Sequence, residues 1–118
     1  WKRVCRIATQ LCSGLSAVHK AGFTHRDLKP DNILLADSTA LDASSVKIID
    51  FGLTALAQRS TMTDTGDMLG SVHYMAPECY TTAQYGPAVD IYAVGCILYE
   101  CLTGRPPFDA DTSAAVSY

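Results

Sequence analysis

Apolar residues recur along the first twenty positions at steps of three and four: Trp1, Val4, Ile7, Ala8, Leu11, Leu15 and Val18. That spacing predicts a helix over 1–20 with one core-facing stripe. Trp1 and the cysteines on that stripe read as core packing, not as a cofactor site. Gly22 stands where a left-handed C-cap ends such a helix. A short extended pair, Phe23-Thr24, then leads into a stretch of different character, His25-Arg26-Asp27-Leu28-Lys29-Pro30-Asp31-Asn32. Only Leu28 is apolar in it. Pro30 forbids a helix through its middle and pushes Lys29 toward an extended backbone. A polar loop between buried elements is the usual address for chemistry.

Beyond the loop, Ile33-Leu34-Leu35 suits a buried strand, 36–45 is small and polar and reads as a turn, and Val46-Lys47-Ile48-Ile49 alternates as a second strand. The two form a predicted hairpin that delivers Asp50-Phe51-Gly52 directly after its second strand. The hydrophobic period is then lost. Residues 58–67 are hydroxyl-rich and read as a mobile loop. Gly86-Pro87 breaks the chain and sets Pro87 at or before a helix start. Residues 88–103, AVDIYAVGCILYECLT, are apolar nearly all round, which predicts a helix inside the domain. Asp90 is an acid at the start of that helix, and a buried charged aspartate must find donors. Gly104 caps the helix, and Arg105-Pro106-Pro107-Phe108 is a stiff exit.

Composition adjusts this picture in three respects. At 118 residues and 48% hydrophobic, the chain is within single-domain size and has the material for a core. The net charge of −3 is unevenly spread: six bases face one acid through Lys29, and three bases face eleven acids after it. A basic first third can mark nucleic acid, but no aromatic residues alternate with those bases, and a solvated helix face accounts for Lys2, Arg3 and Arg6. The five cysteines are odd in number and contain no C-x-x-C pair. His19, His25 and His73 lack ligand spacing with any cysteine pair, which argues against zinc. Free thiols point to a reducing, cytoplasmic setting. The start reads as an amphipathic segment rather than a signal peptide, and the longest apolar run, Ile91 to Tyr99, is too short to span a bilayer.

The stretch 25–32 matches the catalytic loop H-R-D-L-x-x-x-N of protein kinases at every specified position. Asp50-Phe51-Gly52 and Ala76-Pro77-Glu78 follow in the order that family requires. The chain therefore resembles the larger, C-terminal lobe of a eukaryotic-type protein kinase over essentially its whole length. The implied fold is α+β, mainly helical with a small β-hairpin, and incomplete at both ends. Within 1–118 the resemblance places a catalytic loop at 25–32, an Asp-Phe-Gly motif at 50–52, an activation segment at 50–78 and a buried helix at about 88–103. The Leu-Lys-Pro form of the loop is similar to that of serine/threonine kinases. The implied activity is transfer of the ATP γ-phosphate to protein serine or threonine hydroxyls, with ATP and Mg²⁺ as nucleotide and metal.

The resemblance also assigns roles. Asp27 accepts or orients the proton of the substrate hydroxyl, a task suited to a carboxylate. Lys29 contacts the transferred phosphate. Asn32 and Asp50 hold magnesium through hard oxygen ligands. Alone, Asp50 before Phe-Gly reads as a turn initiator; downstream of a full catalytic loop the metal role leads. Leu34 lies under the adenine ring, and His25 and Phe51 belong to an apolar column, a job that is mostly packing. Asp90 is similar to the buried acid that holds the catalytic-loop backbone. Arg26 joins a basic pocket for a phosphate on the activation loop, with Ser60, Thr61, Thr63 and Thr65 as candidate acceptors. The bland alternative there is a polar loop with incidental hydroxyls.

Two features depart from the family pattern. Asn32 and Asp50 are 18 positions apart, so the hairpin turn is enlarged, and Ser71 stands where a threonine is usual. A lengthened turn costs little, and Ser71 keeps a hydroxyl for Asp27 and Lys29. The chain has no Gly-rich loop, strand lysine or partner glutamate, and Arg105 lies too near the last helix to pair with Glu78. These observations predict part of a longer kinase that needs its N-terminal lobe, inactive alone. The expected partners are ATP, a protein substrate and the N-terminal lobe, not nucleic acid, and this stretch itself carries no membrane signal. A pseudokinase or scaffold with the same fold is the competing class; intact Asp27, Lys29, Asn32 and Asp50 favour an enzyme. An independent half-lobe serving as an interaction module is a third reading, which needs the chain to be soluble and monomeric by itself.

Overall fold

A computed structural model describes residues 1–36, 46–51, 72–81 and 86–108. In chain order these form helix α1 (Lys2–Lys20), a 3₁₀ turn (Pro30–Asn32), strands β1 (Ile33–Leu35) and β2 (Val46–Ile48), a single helical turn α2 (Glu78–Thr81) and helix α3 (Ala88–Thr103). Mixed helix and a two-stranded antiparallel sheet make the architecture α+β and mostly helical. The strands pair with Ile33 opposite Ile48, Leu34 opposite Lys47 and Leu35 opposite Val46.

The amphipathic pattern of α1 buries Leu11 and Leu15 completely. These meet Leu28 from the loop and Ala93, Val94 and Ile97 from α3, with Ile33, Val46 and Ile48 packed against the cluster from the hairpin. Helix α1 is thus the layer between α3 and the sheet. Gly14 permits its close approach to β2, since a Cβ there would lie 3.3 Å from Ile48 Cδ1. Gln10 joins the same seam by accepting the Val46 N–H at 3.1 Å. At its end Ala21 and Gly22 donate to the carbonyls of Ala17 and His19, and Gly22 takes φ +84°, the left-handed conformation its position predicts.

Burial differs from the sequence expectation in three places. Trp1 is 81% exposed and Cys5 and Cys12 face solvent, because the packing contacts of α1 concentrate on Leu11 and Leu15 rather than on its first turns. Of the five cysteines, all free, only Cys96 is buried. Leu34 and Leu35 are exposed, because a three-residue hairpin covered by α1 has one protected face and apolar residues on both. Helix α3 buries Val89, Asp90, Ala93, Val94, Cys96 and Ile97 but presents Ile91, Tyr99 and Leu102 outward, so it has one covered side rather than an all-round interior setting. Among the described residues, no helix is long and apolar enough to cross a membrane.

Candidate active site

The loop 25–32 is fixed from three directions. Pro30 opens the 3₁₀ turn, and Lys29 before it is extended at φ −151° and ψ 167°, as the proline demands. From below, Asp90 at the start of α3 is 1% exposed. Its Oδ2 accepts the His25 backbone N–H at 2.9 Å and its Oδ1 accepts the Arg26 N–H at 2.9 Å. A buried carboxylate is thereby supplied with the donors its charge requires. From the side, the fully buried His25 donates Nε2–H to the Ile49 carbonyl at 2.9 Å. That leaves Nδ1 as the acceptor facing the Asp27 N–H, at a long 3.4 Å. His25 also meets the Phe51 ring at 5.0 Å and 57°, although Phe51 is itself 45% exposed.

Asn32 completes the enclosure. It is buried, and its Nδ2 donates to the Asp27 carbonyl at 2.7 Å. The Ile49 N–H donates to the Asn32 carbonyl at 3.0 Å, which continues the β1–β2 ladder by one pair. Asp50 is the next residue. Among the described residues, two that are not glycine have left-handed backbone, Arg26 at φ 69° and Asp50 at φ 58°. Such conformations disfavour L-residues and persist where surrounding contacts hold them. Both flank the same cluster. Lys29 Nζ stands 3.8 Å from Asp27 Oδ2, and both side chains are largely enclosed.

The structure therefore brings together Asp27, Lys29 and Asn32, with Asp50 following Ile49, the residue bonded to the Asn32 carbonyl. Leu34 lies two residues along the chain from Asn32, in β1, and is 48% exposed. Arg26 is exposed, its backbone tied to Asp90. Thr61, Thr63 and Thr65, with Ser60, Ser71 and Gly52, lie outside the described residues. A small cleft beside Asp27 is lined by Arg26, Met75, Ala76, Cys79 and Val89.

Two pairs escape sequence reasoning. His19 Nε2 reaches Asp90 Oδ2 at 2.7 Å, and the Tyr74 hydroxyl donates to Glu100 Oε2 at 2.5 Å. Burial first, and then that bond, push the Tyr74 hydroxyl well above the ordinary tyrosine range. The partners are 71 and 26 residues apart, so no local spacing joins them. The one available signal was a polar imidazole near the end of an amphipathic helix.

The donor set suits magnesium. Asn32 spends its amide nitrogen on Asp27, leaving its oxygen as the free end, and Asp50 adds carboxylate oxygens; hard cations select such ligands.

The model of the family described as protein kinase domain matches residues 2–117. Serine/threonine-protein kinase PknL of Mycobacterium tuberculosis is 38% identical over 115 residues, covering 98% of this chain and 28% of PknL. PknE of the same organism is 43% identical over 110 residues, covering 92% and 18%. A probable serine/threonine-protein kinase PknB of Lactococcus lactis is 40% identical over 111 residues, covering 94% and 17%. The chain thus spans less than a third of the length of these curated relatives. With the match running from α1 past the exit of α3, and the loop geometry built around Asp27, this chain belongs to the protein kinase family.

Proposed function

We propose that this chain is the catalytic-loop portion of a protein serine/threonine kinase that moves the γ-phosphoryl group of ATP to a serine or threonine hydroxyl of a protein. The observation that carries the reading is the clamp on Asp27. Its carbonyl is held by Asn32, and the two preceding amides are held by the buried Asp90. Phosphoryl transfer asks a protein mainly for positioning and charge. Asp27 orients the incoming hydroxyl and takes its proton as oxygen bonds to phosphorus and the bond to the leaving ADP oxygen breaks. Lys29, beside Asp27, follows the moving charge. Asn32 and Asp50 hold the metal, and Leu34 offers its exposed face to the adenine. Magnesium bound there supplies charge neutralisation across the phosphates. Arg26 and a phosphate on Thr61, Thr63 or Thr65 form the regulatory pair of this reading. Five free thiols favour a cytoplasmic setting.

The test uses the full-length protein with a peptide acceptor. Asp27→Asn keeps the shape and removes the base, so kcat should fall by about 100-fold or more while the Kd for ATP with magnesium stays nearly constant. Turnover of the Asp27→Asn variant at the wild-type rate removes Asp27 from its role. A wild-type protein that binds nucleotide yet transfers nothing supports the scaffold class instead.

A further inference from the structure

The hairpin that leads to Asp50 is short, and the stretch of chain between its strands is long. The strands meet in the pairs Ile33 with Ile48, Leu34 with Lys47 and Leu35 with Val46. A tight turn ordinarily fixes such a register. Here residues 36–45, small and polar, separate the strands, and a connection of that length sets the register only loosely. A slip of one residue would displace Asp50 by about 3.3 Å and turn Lys47 toward the core.

Helix α1 makes two contacts with β2 that hold it from outside the hairpin. The Ile49 N–H donates to the Asn32 carbonyl, and alternation along the strand then turns the Val46 N–H away from β1. Gln10, half-buried on α1, accepts that N–H through Oε1 at 3.1 Å. Only the amide oxygen can do so, since the amide nitrogen is a donor. One turn further along α1, Gly14 leaves room for Ile48, whose Cδ1 would lie 3.3 Å from a Cβ there. The first contact sets where β2 sits along its own axis, and the second sets how close it comes. Three residues after Val46, Ile49 is bonded at both ends of its backbone, its N–H to the Asn32 carbonyl and its own carbonyl by His25 Nε2–H. Asp50 follows at φ 58°, a backbone that its surroundings have to hold.

We propose that Gln10 is a positioning residue for the metal-holding end of the site: by accepting the Val46 N–H it fixes the register of β2, and through Ile49 it places Asp50. The proposal rests on the kinase reading of Asp50 as a magnesium ligand. Gln10 acts through the strand, so its signature is a loss of the magnesium-dependent part of nucleotide binding.

The experiment compares Gln10→Met and Gln10→Glu in the full-length protein. Both residues suit a helix and match glutamine in length, but glutamate keeps an acceptor oxygen in place while methionine offers only a weakly accepting sulfur. Losing a group that directly orients a metal ligand costs about tenfold or more in affinity, and Gln10 acts from one step further back. In Gln10→Met the Kd for ATP with magnesium should therefore rise about fivefold, while the Kd for ATP without metal stays within about twofold. Gln10→Glu should recover most of the loss. Backbone amide exchange needs neither nucleotide nor turnover. Val46 should quicken in Gln10→Met because its acceptor is gone; quickening at Ile49 as well reports a strand that has lost its register, and Gln10→Glu should protect both. Should Gln10→Met fail to fold, Gln10→Asn, whose oxygen stops one bond short, takes its place. Quickening confined to Val46, equal loss in the two variants, or an affinity for ATP that changes alike with and without magnesium, or not at all, overturns the role. The predicted order of exchange and of magnesium-dependent affinity in a protein that transfers no phosphate upholds Gln10 as the positioner and removes the kinase reading alone.

Discussion

Tyr74 is the residue whose surroundings translate most directly into a measurable response. Burial, then the bond to Glu100, hold its proton in the folded state beyond the ordinary value of 10.0. Below about pH 10 the hydroxyl is protonated folded and unfolded, and its full contribution to stability is present. Above that the unfolded chain loses the proton first, so the contribution declines as pH rises toward the folded value. The stability difference between wild type and Tyr74→Phe should therefore shrink between pH 8 and pH 11 in denaturant titrations; other titrating groups cancel in the difference. A constant gap across that range excludes the effect. Legibility at this scale divides by sequence distance. The grouping of Asp27, Lys29 and Asn32 is legible because the loop that holds them is contiguous, and the approach of Ile49 to Asn32 because it continues the hairpin. His19 and Glu100 are not, since each acts through a partner that only the packing of α1 on α3, or of residues 72–77 on α3, brings near.

At the scale of elements, punctuation was more legible than burial. Gly22 and Gly104 take φ +84° and +80°, as expected of glycines that close helices, and Pro87 stands at the N-cap of α3. The cap at Gly104 is completed by its N–H donating to the Glu100 carbonyl at 2.7 Å. Gly104→Ala should cost about 1 kcal/mol by placing a Cβ in left-handed backbone, and Gly104→Asn about half of that, because asparagine tolerates the region better. The order matters more than the size: chemical unfolding that ranks alanine above asparagine contradicts a left-handed cap. Which faces of an element are covered is a different kind of information. Composition marked Leu34 and Leu35 as buried, and Ile91 with Tyr99 and Leu102 as interior, yet all five are exposed. Hydrophobicity records what a residue gains on burial. It does not record whether a neighbour is there to cover it.

That distinction has its largest consequence for the molecule as a whole. Ile91 is 55% exposed and Leu102 is 62% exposed, with Tyr99 at 43% between them. Their spacing puts all three on one side of α3. Covering a side chain of this size is worth roughly 1.5–3 kcal/mol. A strip of three, rigid on a sixteen-residue helix, is a strong candidate for self-contact when the 118-residue chain is the only protein in solution. In sedimentation velocity the average mass of this chain should rise with concentration. Ile91→Lys with Leu102→Lys should return it toward monomer by charging the strip, whereas Ser13→Lys with Ser16→Lys, exposed positions on α1, should leave the association in place. The paired comparison separates a local apolar contact from a general effect of added charge. If both pairs dissolve the association equally, its source is not the exposed side of α3. If only the α3 pair does, the exposed side of that helix is the surface through which this chain meets its own copies.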